Sequence, residues 1–283
     1  MTKLLKTISE VKAVVNKNTR PIGLVPTMGA LHKGHISLIE QCVKESKMSF
    51  VSIFVNPTQF SQGEDFEKYP RELESDLEIC SKSNVDYVFA PSVQEIYSEA
   101  KEVEKTEMIL PPENLSNILC GKTRKNHFSG VATVVRKLFG IFESDFAYFG
   151  KKDLQQLYVV NWLVNNYKLP TLVKECETIR EANGLAYSSR NKYLAEDQKV
   201  LASNLYKALK LAKQNARSGL FTPREAILES LVFLARFSEI KVEYFDARSK
   251  EDLKEVLENT KSGFYFLLAA RVCGVRLIDN IEI

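Results

Sequence analysis

Short apolar runs alternate with amphipathic segments through the first part of the chain. The apolar runs predict buried strands at residues 22–26, 50–55, 87–90, 146–149 and 172–175. Between them, apolar residues at helical spacing predict helices, among them residues 73–83, 130–142 and 154–167. This alternation favours βαβ units around a parallel sheet, which is an α/β fold.

The pattern changes after residue 179. Residues 195–218 and 223–237 predict two amphipathic helices, the second with Thr222 as its N-cap before a proline at the first helical position. A helix-like segment at 249–258 follows, among strand-like runs at residues 241–245, 264–270 and 275–278. We therefore predict an α/β domain over residues 1–179 and a smaller α+β domain over residues 180–283.

The composition is ordinary for a globular protein, with 45% hydrophobic and 27% charged residues. The net charge is only +3, and opposite charges alternate, as at residues 99–105. A nucleic-acid binder would more often carry a basic stripe, so the composition favours a small-molecule substrate.

The five cysteines are dispersed and form no CxxC pair, which disfavours structural zinc and a disulfide framework. The N-terminus lacks the apolar segment of a signal peptide, and no apolar run is long enough to span a bilayer. We therefore expect a cytoplasmic protein that does not associate with membranes.

Two of only three histidines, His32 and His35, stand three positions apart in the segment PTMGALHKGH. This segment joins a predicted strand to a predicted helix, where α/β folds bind phosphates on helix N-terminal N–H groups. Imidazoles can donate hydrogen bonds to phosphate oxygens, and Gly29 and Gly34 allow close backbone approach. The HxGH pattern is typical of nucleotidyl-transfer enzymes, with a chance pairing of surface histidines as the alternative.

Polar side chains also follow two other predicted strands. Gln59 lies just after an Asn-Pro pair, at the sheet edge where α/β proteins bind ligands, and its amide suits a small hydroxy acid. An ordinary Asn-Pro turn is the alternative. Lys151, Lys152 and Asp153 open a helix after Gly150, where a lysine could neutralise phosphate charge or simply be exposed.

Two loops supply further candidates. Ser188, Ser189 and Arg190 form a donor set for a polyphosphate, or a common serine-rich turn. Arg124 and His127 are candidates for a phosphate-facing loop, with a solvated basic turn as the alternative. The nearby sequence GKT imitates the end of a P-loop, but the first glycine of that motif is missing and no strand precedes it.

Together and in this order, the motifs resemble the pantothenate synthetase family, the pantoate–β-alanine ligases of the HxGH nucleotidyltransferase superfamily. The resemblance covers essentially the whole chain through PTMGALHKGH, VNPTQF, HFSGVATVV, YFGKKDLQQL, REANGLAYSSRN and RLIDNIEI. It implies a Rossmann-like N-terminal domain with a parallel sheet, a small α+β C-terminal lid domain, and a homodimer formed through the N-terminal domain.

The resemblance further implies a two-step ligase whose substrates are ATP, pantoate and β-alanine. Mg²⁺ is expected on the phosphates because ATP chemistry needs it, and no carboxylate cluster offers a dedicated metal site. The resemblance assigns the catalytic roles to His35, His32 and Lys152, pantoate binding to Gln59 and Gln156, and an adenine contact to the backbone of Ile179. Substrate-binding positions in all are Met28, Gly29, Ala30, Leu31, Lys33, Gly34, Gln59, Gly150, Lys151, Asp153, Gln156, Ile179, Tyr187, Ser188, Ser189 and Arg190.

Three features depart from the family pattern, two of them single residues and one a loop. Lys151 replaces a usual glutamate, Tyr187 replaces a usual methionine, and the loop 124–127 reads Arg-Lys-Asn-His where Arg-Pro-Gly-His is usual. The alternatives to the ligase are a cytidylyltransferase-like enzyme, a tRNA-charging enzyme and a non-catalytic nucleotide-binding protein. A cytidylyltransferase gives no role to Gln59 and Gln156. The small net charge disfavours a tRNA-charging enzyme, and the full set of phosphate-facing side chains disfavours a non-catalytic binding protein.

Overall fold

The computed structural model describes residues 2–15, 19–61, 63–97, 107–258 and 263–283. The chain divides into two compact units, one of Met1–Lys151 with Gln155–Glu177 and one of Lys152–Leu154 with Thr178–Ile283. The boundary between functional domains at 179/180 stays a prediction. The charge alternation at 99–105 lies outside the described residues.

Within the described residues, the first unit contains a six-stranded parallel sheet in the order β1-β4-β3-β2-β5-β6. Its central strands are mostly apolar and buried because both faces of a parallel sheet are covered; Ile22, Leu24 and Phe50, for example, are fully buried. The strands are β1 (Lys3–Leu5), β2 (Ile22–Thr27), β3 (Met48–Ile53), β4 (Tyr87–Phe89), β5 (Phe146–Gly150) and β6 (Leu172–Cys176).

The helices of this unit begin with α1, which has a capping box formed by Thr7 and Glu10. The longest is α7, which is buried on most sides, including His127, Phe128 and Gly130 in its first turn. The helices are α1 (Ile8–Val14), α2 (Lys33–Glu45), α3 (Leu73–Lys82), α4 (Val93–Ile96), α5 (Glu113–Ser116), α6 (Leu119–Thr123), α7 (His127–Phe142) and α8 (Leu154–Asn166).

The second unit packs helices on an antiparallel three-stranded sheet, β7-β8-β9, in the described residues. Alternate residues of the middle strand, including Phe264, Phe266 and Leu268, form its core with Leu205 and Leu209. Its elements are α9 (Glu196–Ala202), α10 (Asn204–Ser218), α11 (Pro223–Leu234), β7 (Ile240–Ser249), β8 (Phe264–Val272) and β9 (Val275–Glu282).

The predicted fold class is confirmed: a Rossmann-like α/β sheet accompanied by a smaller α+β unit. Two predicted elements differ. The helix over 195–218 is interrupted at Ser203, whose hydroxyl donates to the carbonyl of Val200 at 2.7 Å. The prediction of a helix over 249–258 is wrong. There the Ser249 and Asp252 side chains hydrogen-bond at 2.6 Å and fold the chain into a turn. Among the described helices, none combines the length and apolarity needed to cross a membrane.

Candidate active site

The candidate site lies where the strand order of the first sheet reverses. After β2 the chain adds β3 and β4 on one side, and after β5 it adds β6 on the other. The pairing of β2 with β5 runs from Gly23–Phe146 to Leu24–Ala147, well before either strand ends. Open α/β sheets bind ligands in the crevice at this point, outside the carboxyl ends of the strands.

The buried carboxylate of Asp76 binds the backbone of the loop after β2. Gly29 and Ala30 both have left-handed backbone, with φ of 80° and 51°. The N–H groups of Ala30 and Leu31 donate to the two oxygens of Asp76 at 2.9 and 2.7 Å. A Cβ on Gly29 would lie 2.8 Å from an Asp76 oxygen, so this glycine is required by packing within the protein as well as by its φ.

Asp76 was missed by the sequence reasoning. It lies on α3, is only 1% exposed, and occupies the apolar face of that helix together with Leu77 and Cys80. An acidic residue at a core position of an amphipathic helix was the available signal, because a buried charge requires partners. The structure identifies those partners as the backbone of the histidine-containing loop.

The histidine pair begins α2. His32 is the N-cap, and its Nδ1 accepts from the N–H of Gly34 at 3.2 Å. In the neutral ring the proton therefore resides on Nε2, which can donate to an anion. The rings of His32 and His35 stack with centroids 4.0 Å apart. The first turn of α2 contains no acidic residue, so the positive end of its dipole adds to an anion-binding site.

Gln59 ends a short 3-10 helix, Pro57–Gln59, and its side chain is buried. Its Nε2 donates to the sulfur of Met28 at 2.8 Å, and its Oε1 accepts from Asn56 at 3.2 Å. A thioether is a weak acceptor, whereas a carboxylate is a strong one. The Gln59 amide is therefore buried and oriented. Its Nε2 donates to the Met28 sulfur, a weak acceptor that a substrate carboxylate can replace.

Asn56 fixes the turn that carries Gln59. Its Nδ2 donates to the carbonyl of Gly130 at 3.1 Å, and its Oδ1 accepts from Tyr97 at 2.6 Å and from Thr58 at 2.9 Å. Burial raises the pKa of Tyr97 to about 12, so the phenol is a neutral donor. The Asn-Pro pair is thus part of a hydrogen-bonded platform beneath the glutamine.

Arg124 and His127, the candidates for a phosphate-facing loop, both form contacts within the first unit. The Arg124 guanidinium pairs with both carboxylate oxygens of Glu64 at 2.7 and 2.8 Å. His127 lies against the Gln59 carbonyl and against Arg124. A role of this loop in phosphate binding therefore stays a prediction, while the two side chains support the turn that carries Gln59.

Gly150 ends β5 next to the crevice, and Lys151 follows it at the start of a 3-10 helix. Lys151, the lysine that departs from the family pattern, pairs with Glu177, whose side chain is 79% exposed. Its added charge is therefore balanced by a solvated carboxylate, and such pairs contribute little to stability. Lys152 and Asp153, in the second unit, approach each other at 3.4 Å, and Asn280 donates to the Lys152 carbonyl at 2.9 Å.

The two glutamines that follow differ sharply. Gln155 is 5% exposed, accepts from the N–H of Cys120 at 3.0 Å, and donates to the carbonyls of Leu115 at 2.7 Å and Ile118 at 2.8 Å. Gln156, which the resemblance assigns to pantoate, is only partly buried on the first turn of α8. The helix thus directs one amide into the protein and leaves the other accessible.

The remaining predicted residues lie in the second unit. The carbonyl of Ile179 accepts from the N–H of Tyr187 at 3.1 Å. Ser188 caps the 3-10 helix Ser189–Tyr193, with its hydroxyl accepting from the N–H of Arg190 at 3.3 Å. The preceding turn is fixed by Arg180, which pairs with both oxygens of Asp279 at 2.6 and 2.9 Å.

The histidine pair lies at a helix N-terminus, at the point where the strand order of the parallel sheet reverses. This arrangement defines a Rossmann-like α/β enzyme that binds phosphate groups. The family profile of the pantoate-beta-alanine ligases matches residues 3–282, and the chain belongs to this family of carbon–nitrogen ligases.

Several known proteins are similar over nearly the full chain. Pantothenate synthetase of Staphylococcus epidermidis is 41% identical over 287 residues, covering 100% of this chain and 98% of that protein. The crystal structure of the Thermus thermophilus protein aligns with a TM-score of 0.93 at 37% identity, covering 100% and 99% of the two chains. The structure from Francisella tularensis, complexed with beta-gamma ATP and beta-alanine, aligns with a TM-score of 0.82 at 35% identity, covering 100% and 98%.

The chain also matches bifunctional pantoate ligase/cytidylate kinases. It is 41% and 43% identical to two of them and spans about half of their length, 48% and 51%.

Proposed function

We propose that this chain condenses pantoate with β-alanine in an ATP-dependent reaction that passes through pantoyl adenylate and releases AMP and pyrophosphate. The observation that carries the proposal is the contact between Gln59 and Met28 at 2.8 Å. This contact sets a buried amide donor beside the loop that leads to His32 and His35. A carboxylate bound by the amide would therefore lie next to a phosphate bound by the histidines.

In the first step, a carboxylate oxygen of pantoate attacks the α-phosphorus of ATP, and the bond from that phosphorus to the bridging oxygen breaks. Negative charge accumulates on the transferring phosphoryl group and on the departing pyrophosphate. His32, His35 and the N-terminal N–H groups of α2 would stabilise this charge, which is the main protein contribution to phosphoryl-type transfer. By resemblance, Lys152 and the second unit's Ser188, Ser189 and Arg190 would add further donors.

In the second step, the amine of β-alanine attacks the activated carbonyl carbon, loses a proton, and displaces AMP. Gln59 and Gln156 would hold the pantoyl group, and Gln59 would later contact β-alanine. Positioning accounts for much of the rate because both reactants are bound together. No covalent enzyme intermediate is required. The second unit would act as a lid, since an acyl adenylate hydrolyses when water reaches it.

Mg²⁺ is proposed to enter with the nucleotide substrate. Around the histidine pair the donors are imidazoles and backbone N–H groups, which suit anions rather than Mg²⁺. The neighbouring carboxylate, Asp76, has both oxygens engaged by backbone N–H groups. The metal would therefore be held by the phosphates, and we assign no step to a protein-bound ion.

A homodimer is proposed from the resemblance, and a cytoplasmic location from the dispersed cysteines. The five cysteines are free thiols, which is compatible with a reducing compartment. Light scattering of the purified chain tests the dimer.

Pyrophosphate release from ATP tests the function directly. Release should require pantoate, and pantothenate and AMP should accumulate in equal amounts once β-alanine is added. A cytidylyltransferase would instead use CTP with a phosphorylated acceptor, a tRNA-charging enzyme would require tRNA, and a binding protein would release nothing. Failure of pantoate to elicit pyrophosphate release would refute the proposal.

The adjacent glutamines provide a matched pair of variants. Gln156→Ala should raise the KM for pantoate about tenfold or more, with an unchanged unfolding midpoint, because it removes a substrate contact worth about 1.5 kcal/mol. Gln155→Ala should leave that KM unchanged but destabilise the protein by about 3 kcal/mol, since it leaves one buried N–H and two carbonyls without partners. Steady-state kinetics and thermal unfolding of both variants measure this. If Gln155→Ala raised the KM for pantoate and Gln156→Ala destabilised the protein, the roles assigned to the two glutamines would be exchanged.

A further inference from the structure

The first turn of α7 packs closely against the backbone of the turn that carries Gln59. Nδ1 of His127 lies 2.8 Å from the carbonyl oxygen of Gln59. The carbonyl of Gly130, one helical turn further, accepts from Asn56. A Cβ on Gly130 would lie 2.4 Å from the carbonyl oxygen of Thr58 and 2.6 Å from the nitrogen of Gln59. The turn is therefore pressed against the helix with no room for an intervening side chain.

The partners of His127 determine its tautomer. Its Nε2 lies 3.0 Å from an Nη atom of Arg124, and a guanidinium can only donate. Nε2 is therefore the acceptor, and the ring proton resides on Nδ1. That proton points to the Gln59 carbonyl, which can only accept.

Arg124 is itself fixed by a second pairing. Its two-point ion pair with Glu64 leaves the Arg124 and Glu64 side chains only 12% and 20% exposed. Two-point pairing through Nε and Nη2 holds the guanidinium in one plane, and this plane directs the Nη1 group at His127. A continuous chain of contacts thus runs from the Glu64 carboxylate through Arg124 and His127 to the backbone of Gln59.

We propose that His127 is a positioning residue for acid recognition: its Nδ1–H fixes the Gln59 backbone, while Glu64 and Arg124 hold the ring in the donating tautomer. The inference rests on the proposed role of Gln59 in binding pantoate. The side chain of Gln59 extends from this turn to Met28, so a displaced carbonyl displaces the amide that meets the carboxylate. Misplacement of a binding group by about 1 Å weakens its interactions strongly.

Two substitutions of His127 separate the donor role of Nδ1 from the acceptor role of Nε2. In His127→Asn, the amide nitrogen takes the place of Nδ1 and keeps the donor to Gln59 while losing the acceptor for Arg124. In His127→Gln, the amide oxygen takes the place of Nε2 and keeps the acceptor while losing the donor to Gln59. We expect His127→Gln to raise the KM for pantoate about tenfold, the equivalent of one lost hydrogen bond. His127→Asn should stay within about threefold of the original protein.

The measurement is pantoate-dependent pyrophosphate release at saturating ATP, repeated with ATP varied at saturating pantoate, with Gln59→Ala setting the scale for full loss of the contact. The KM for ATP should remain within about twofold in both variants, and thermal unfolding should show both folded. Equal pantoate KM values for the two variants, or a parallel rise in the KM for ATP, would overturn the positioning role. If the original protein itself released no pyrophosphate with pantoate, the proposed function would fall, and this inference with it.

Discussion

Replacing His35 by alanine is expected to lower kcat for pantoate-dependent pyrophosphate release by about 10²–10³-fold. This is the usual loss when one preorganised donor to developing charge is removed. The ring of His35 stacks on that of His32, at the start of a helix with no acid in its first turn. The charge that it would stabilise appears on the phosphates in the transition state, so the effect should fall on kcat rather than on the KM for pantoate.

The control for this substitution lies at the other end of the same helix. Lys44 is exposed in the last turn of α2, and Lys44→Ala should leave the rates unchanged. A stopped assay for pyrophosphate, with pantoate and ATP varied separately, measures both proteins. If His35→Ala retained more than about a tenth of kcat, the histidine would not have the role assigned to it. A large rise in the KM for pantoate alone would place it at the acid instead.

The parts of the fold that local signals specify could be predicted from the sequence. The strands around Leu24 and Phe50 are short and rich in buried apolar residues, and the sheet built from them is parallel, as the alternation with helices required. His32 and His35 could be placed at a helix start because the change from strand to helix periodicity is itself local. The break at Ser203 could not be placed, since the amphipathic pattern continues across it while a side-chain hydrogen bond interrupts the helix.

The contacts that support the site depend on long-range packing and were outside the reach of a sequence pattern. His127 and Arg124 have the composition of an anion-binding loop, and only the position of Glu64 shows that their charge is satisfied internally. Gln155 and Gln156 are identical in type and adjacent in sequence, so only the packing of α8 decides which amide is buried. A motif indicates the chemistry of a residue, whereas its direction is a property of the folded chain.

Replacing Asp76 by alanine is expected to impair both stability and nucleotide binding. The substitution leaves the N–H groups of Ala30 and Leu31 without their acceptors. Hydrogen bonds to a charged group contribute about 1.5–3 kcal/mol each, so the loss should be at least about 3 kcal/mol. For a unit of this size that corresponds to a drop in the unfolding midpoint of about 6–12 °C. The KM for ATP should rise as well, because Gly29 and Ala30 are no longer held in left-handed backbone before His32.

Glu74 provides the matched control, since it is also an acid in the first turn of α3 but is exposed. Glu74→Ala removes the same favourable interaction with the helix dipole, worth about 0.3–1 kcal/mol, and leaves the loop contacts intact. Thermal unfolding and the KM for ATP of the two variants are compared directly. Equal losses would assign the effect to the helix N-terminus, whereas a loss confined to Asp76→Ala assigns it to the carboxylate that holds the histidine-containing loop. The phosphate site would then depend on a residue 44 positions beyond His32 that no local motif contains.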